Sequence, residues 1–189
     1  SAKININTAD ETRLRNLFMY AGIPDDEITV LLDSILDWKD EDDEHHLSGA
    51  ESDYYEDLSD PYKAKNGPFT VPEELALVKG MKPEYFKDGG EVKSLLPLIT
   101  TFGGNLLNIN TVSTEVMQLL GLDDSEIEAI MKQRTKEAGG WRSIPQQYSS
   151  KGLNAMASQN FRIEVVARTN NSNLGMKIVA VLNKQPALE

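Results

Sequence analysis

The sequence predicts an α+β chain that is mainly helical, and three observations carry that expectation. The tetrapeptide Asn-Ile-Asn-Thr occurs at 5–8 and again at 108–111, each time ahead of apolar residues at helical spacing. A glycine followed by acidic residues then breaks each stripe and starts another. From residue 161 the period changes from helical spacing to strict alternation.

In the first copy, Thr8 and Glu11 have the spacing of a capping box, which satisfies two free amides at a helix start. Leu14, Leu17, Phe18 and Ala21 follow on one face, and Gly22 ends the helix. After "GIPDDE", a second helix carries the stripe Ile28, Leu31, Leu32, Ile35 and Leu36. The second copy repeats the plan, with Thr111 as its entrance, Val116, Leu119 and Leu120 on its first face, and Gly121 at the turn. Asp123 and Glu126 form the next capping box ahead of Ile127, Ile130 and Met131. Thr8 and Thr111 lie 103 residues apart whereas Gly22 and Gly121 lie 99 apart, so the second copy has the shorter first helix. Between the copies, "NGPFTVPEELALVKGM" reads as a turn, a capping box of Thr70 with Glu73, inward Leu75 and Val78, and a closing Gly80; the short segment "PEYFKD" follows.

The formal net charge of −11 is concentrated in one place. Residues 37–60 hold eleven acids against the single base Lys39. Such a stretch suits cations and repels polyphosphates. Asp40, Asp42, Glu44, His46 and Glu51 fall at positions 1, 3, 5, 7 and 12 of a twelve-residue window, the ligand spacing of a calcium loop. The sixth position is His45 rather than glycine, so this is not an EF-hand. Carboxylates outnumber every other donor, which favours a hard cation. Calcium is therefore the expected ion, with Asp37, Asp40, Asp42, Asp43, Glu51 and Asp53 as candidate ligands. Trp38, Tyr54, Tyr55 and Tyr62 interleave with these acids; aromatics bury, and the carboxylates beside them then need a partner. Zinc is disfavoured, because adjacent His45 and His46 point apart and no third nitrogen or sulfur ligand exists.

At the end of the chain, Phe161, Ile163, Val165 and Ala167 alternate with Arg162, Glu164 and Arg168. Past "TNNSN", Met176, Ile178, Ala180 and Leu182 alternate with Lys177, Val179 and Val181. Two antiparallel strands are expected, with "AKINI" near the start as a candidate third strand. An isolated hairpin is marginal in water, so this one calls for a partner.

No enzyme class fits. The chain has no cysteine, no Gly-x-Ser-x-Gly elbow and no glycine-rich phosphate loop, and its two histidines sit side by side. No apolar run approaches the roughly 18 residues of a membrane span, so these residues are expected to be soluble. The repeated helical hairpins resemble helix-hairpin-helix DNA-binding proteins, and a DNA-binding protein is the alternative reading. The turns "PDDE" and "DDSE" argue against it, because they put carboxylates where a phosphate would sit.

A second resemblance covers nearly the whole chain. "ILDWKDEDD", "GAESDYY", "PYKAKNGPF", "PEELALVKGM", the second "LNINT" and the closing "FRIEVVAR" and "MKIVAVLNK" resemble, in order, the K-class minor pseudopilins of the type II secretion system. That resemblance implies a helical domain of two SAM-like, helix-hairpin-helix units inserted in a pilin-like β-sheet. It divides the chain into a first helical unit at 1–100 with the acidic loop 37–60, a second at 101–157, and C-terminal strands of the sheet at 158–189. It also implies calcium within the helical domain and a non-enzymatic role at the tip of a periplasmic pseudopilus. The implied partners are the I- and J-class minor pseudopilins, then the major pseudopilin and secreted substrates, with no nucleic acid. The family's hydrophobic N-terminal helix, which anchors the full-length protein in the inner membrane of a Gram-negative bacterium, is not in this sequence.

Overall fold

The structure, a computed structural model, describes residues 2–136, 140–158, 160–168 and 175–184. It is mainly helical with small sheets, and residues 4–155 repeat one plan twice.

The first copy begins at strand β1 (Ile4–Asn5), followed by helices α1 (Glu11–Ala21) and α2 (Asp25–Lys39). A short helix α3 (Ser52–Glu56) and two 3-10 turns (Pro72–Leu77 and Pro83–Phe86) lead to β2 (Ile99–Thr100), which pairs in parallel with β1. The second copy runs from β3 (Leu107–Asn108) through α4 (Thr114–Leu119), α5 (Asp124–Lys136) and α6 (Gln146–Ser149) to β4 (Leu153–Ala155), again in parallel with its first strand.

The repeated tetrapeptide is an asparagine clamp. Asn5 Oδ1 accepts the Asn7 amide at 3.0 Å, and Asn108 Oδ1 accepts the Asn110 amide at 2.9 Å, so both copies make the same Asx turn. The second asparagine of each then grips a distant aromatic residue by its backbone. Asn7 accepts from Phe69 N at 2.8 Å and donates to Phe69 O at 2.9 Å and Thr101 O at 3.3 Å. Asn110 accepts from Trp141 N at 2.7 Å and donates to Trp141 O at 3.1 Å and Met156 O at 3.0 Å. A side-chain amide has two donors and a carbonyl, and each clamp uses all of them.

Helix starts differ from the expected boxes. Asp10, not Thr8, caps α1 by accepting the Arg13 amide, because the Thr8 hydroxyl is engaged with Asn105 Oδ1 at 2.8 Å. Ser113 likewise replaces Thr111 as the cap of α4. Both threonines belong to the clamp turn, one step before the helix. The Asp123–Glu126 box is reciprocal, at 2.9 Å in both directions. Glu74, not Glu73, accepts the Thr70 amide, at 2.8 Å, where Pro72 opens a 3-10 turn. At both hairpin turns a left-handed glycine closes the first helix: Ile23 N reaches Phe18 O and Leu122 N reaches Met117 O.

Leu14, Leu17, Phe18, Ile28, Leu31, Leu32 and Ile35 are buried with Ile4, Ile6 and Ile99, and Val116, Leu119, Ile127 and Ile130 continue the same core. Met131 lies at its margin, 40% exposed, with its sulfur against Arg134. Tyr20, on α1, bonds Gln118, on α4, at 2.9 Å across the two copies.

The C-terminal strands β5 (Asn160–Arg168) and β6 (Gly175–Asn183) form the expected antiparallel hairpin; the loop "TNNSN" lies outside the described residues. The segment "AKINI" does not join it. Ile4 and Ile6 are buried in the helical core, and β1 pairs with β2 rather than with the hairpin.

Candidate metal centre

The acidic segment hangs on the C-terminal end of α2, and helix geometry sets its first two candidate ligands. Asp37 and Asp40 are three residues apart, hence neighbours on one face. Asp37 lies in the last turn of α2, where the helix dipole disfavours an anion, and its side chain has no exposure to solvent. One of its oxygens accepts the His46 amide at 3.2 Å and also meets His46 Nδ1; the other has no protein partner.

Residues 46–49 turn back over this carboxylate. The Gly49 amide bonds His46 O at 3.0 Å, and a Cβ at Gly49 would lie 1.9 Å from Asp37 Oδ2, so only glycine permits the approach. Ser48 N is held by Asp33 Oδ2 at 2.9 Å, while Lys79 Nζ grips the Ser48 and Gly49 carbonyls at 3.2 and 2.8 Å. The turn delivers Glu51, 1% exposed, with neither carboxylate oxygen hydrogen-bonded. Burial, reinforced by Asp37, Asp40 and Asp43, pushes the Glu51 carboxyl up to about 7. Asp40 is also raised, by burial and then by Asp42 and Asp37, and its Oδ1 is buried without a partner. Behind the acids stands an aromatic wall, with Tyr55 edge-on to Trp38 at 5.2 Å and Phe69 stacked on Trp38 at 6.3 Å.

Ligand atoms of Asp40, Asp42 and Glu51 lie within 4.8 Å of one another, as do those of Asp37, Asp40 and His46. Oxygens on opposite sides of one calcium ion stand about 4.6–5.2 Å apart, so the oxygen-only set matches its size. Buried carboxylates without partners are costly unless protonated or neutralised, and a bound cation neutralises several at once. The donor set therefore fits the expected ion. Asp43 and Asp53 are turned elsewhere: Asp43 accepts from Asn66 Nδ2 at 3.3 Å, and exposed Asp53 pairs with His45 Nε2 at 3.0 Å. The sequence window placed His46 at a ligand position, but Lys79 carried no signal, because its part in the site depends on a contact 30 residues away.

Comparison with known proteins places the chain in a family. Residues 1–102, ending where the first clamped copy closes, match the family model of the type II secretion system (T2SS), protein K. The type II secretion system protein K of Aeromonas hydrophila is 28% identical over 196 residues, covering 92% of this chain and 56% of that protein. The chain thus spans about half the length of that curated relative. Among solved structures, the crystal structure of the GspK-GspI-GspJ complex from the enterotoxigenic Escherichia coli type 2 secretion system contains a chain of the same fold. The TM-score is 0.70 at 19% identity, covering 100% of this chain and 77% of that one. With more than half of its residues matched by the family model, the chain belongs to the type II secretion system protein K family.

Proposed function

We propose that this chain is the periplasmic part of a non-enzymatic minor pseudopilin that works at the tip of the type II secretion pseudopilus. It joins I- and J-class minor pseudopilins and supports export across the outer membrane by recognition and geometry. Among the described residues no helix is long and apolar enough to cross a membrane; in this reading the family's N-terminal helix makes the attachment to the inner membrane. In this reading residues 1–100 and 101–157 are two SAM-like units, and 158–189 are strands of the pilin-like sheet into which those units are inserted.

The observation that carries the assembly role is the β5–β6 hairpin. Phe161, Ile163, Val165, Val166, Met176, Ile178, Val179 and Leu182 are each at least 41% exposed, on two nine-residue strands paired only with each other. A hairpin so apolar and so bare is built to be covered. Calcium held by Asp40, Asp42 and Glu51, with Asp37 beside them, rigidifies the segment that the helical part carries outward.

DNA binding gains no support from the turns after Gly22 and Gly121. They carry Asp25, Asp26 and Glu27 in one copy and Asp123, Asp124 and Glu126 in the other, carboxylates that repel a phosphate.

The test is light scattering after size exclusion of this chain mixed with the soluble parts of I- and J-class pseudopilins from the same system. One ternary species is expected. Three separate peaks at micromolar concentration would refute the assembly reading.

A further inference from the structure

The β5–β6 hairpin has two unlike sides. Residues opposite each other in an antiparallel pair share a face, so Phe161, Ile163 and Val165 stand with Leu182, Ala180 and Ile178 on a wholly apolar side. The other side mixes Val179 and Val181 with Arg162, Glu164 and Lys177, and Glu164 pairs with both Arg162 and Lys177.

The mixed side does not close onto the helical body. A groove of about 930 Å³ lies between them, with Arg162, Val179 and Val181 on one wall and Val71, Leu96 and Phe102 on the other. Val71, Phe102 and Val179 are each at least 43% exposed, so apolar surface that a packed joint would bury lies open on both walls. We propose that this groove seats an extended, apolar segment of a neighbouring minor pseudopilin, one that carries an acidic residue. The inference rests on the assembly role above and adds the helical body to the assembling surface.

Continuity names the partner. Phe161 belongs to the apolar side and also lines the groove, so a subunit laid on the hairpin reaches the groove without a gap. An extended segment sends successive side chains to opposite sides, so it meets the hairpin wall and the body wall at once.

Charge selects the acidic residue. In a chain of formal net charge −11, the charged groups lining the groove are two bases, Lys3 and Arg162, and one acid, Glu73. Lys3 Nζ donates to Leu96 O at 3.0 Å, which fixes it in the groove wall. Burial and then the nearby Arg162 hold the Lys3 ammonium below its ordinary range, against the opposing pull of Glu73. An entering carboxylate relieves that repulsion, and a basic segment adds to it.

The test is calorimetric titration of the soluble I- and J-class parts from the same secretion system into this chain, at low and high salt. Phe102→Ser and Val71→Ser should each weaken assembly about tenfold while leaving the melting of the isolated chain unchanged. Met19→Ser, which removes an equally bare side chain on α1 outside the groove, should change nothing, and Lys3→Gln should flatten the salt dependence. Assembly untouched by Phe102→Ser and Val71→Ser, or weakened as much by Met19→Ser, would overturn the groove and leave the assembly role standing. A steep drop in the melting temperature of the isolated Phe102→Ser chain would overturn it too, by making the groove an internal joint. If the unaltered chain takes up neither partner, the assembly role falls and the groove proposal falls with it.

Discussion

The two asparagine-clamped copies reach their clamped aromatic by different routes. In the second, four residues separate Lys136, the last of α5, from Trp141; in the first, 29 separate Lys39, the last of α2, from Phe69. Both copies close with the same Asx turn, the same left-handed glycine and the same three clamp bonds. The long route is therefore not needed to close the unit. It holds ten of the chain's thirty acidic residues, the buried unpartnered carboxylates of Asp40 and Glu51, and Tyr55 of the aromatic wall, so the proposed cation site lies largely in what the second copy does without.

The comparison is sharpened first by removing each clamp. Asn7→Ala and Asn110→Ala each strand three backbone groups, at about 1–3 kcal/mol for each one left buried and unsatisfied. A loss of about 3 kcal/mol corresponds to a fall in Tm of roughly 6–12 °C for a chain of this size. Thermal melts should give similar losses at both positions; a large loss at one and none at the other would break the equivalence of the copies.

Calcium should act through the first copy alone. At ~100 times its dissociation constant a native-state ligand adds roughly 2.7 kcal/mol, raising Tm by about 5–10 °C, with magnesium as the weaker control. Gly49→Ala drives a methyl into Asp37 Oδ2, so it should abolish most of that rise and cost about 1–3 kcal/mol by overpacking. A Gly49→Ala protein that still responds fully to calcium would remove Asp37 from the site.

The smallest effect is a pH dependence at Glu51. Its folded pKa, about 7, lies above the ordinary 4.5, so in chelator its protonated form stabilises the fold at low pH. That contribution is lost as pH rises through about 7. Glu51→Gln stays neutral throughout, so Tm of wild type minus Tm of the variant should fall by a few degrees, about 2–4 °C, between pH 5 and 8. In calcium the ionised carboxylate is useful, and the slope should vanish or reverse.

The hairpins, the late strands and the acidic cluster were legible because each is written in local spacing or composition: Leu14 to Ala21, Ile28 to Ile35, Phe161 to Ala167, Asp37 to Asp60. The tetrapeptide itself was read as a helix entrance, and its real work was hidden. Asn7 acts on Phe69 and Asn110 on Trp141, contacts 62 and 31 residues away that no periodicity encodes. The same limit hides the cap of α1 at Asp10 rather than Thr8, the start of α4 past Thr111, and the pairing of "AKINI" with β2. Within the site, the clustering of Asp40, Asp42 and Glu51 depends on the 46–49 turn. The turn in turn depends on Lys79, which no spacing rule connects to it.

The central claim, that the 40–68 route is a cation-holding addition to a scaffold complete without it, is tested most directly by hydrogen exchange in chelator and in calcium. Amide protection should rise in residues 37–66 and stay unchanged in 107–156. Protection gained equally in both copies, or no gain in 37–66, would contradict it.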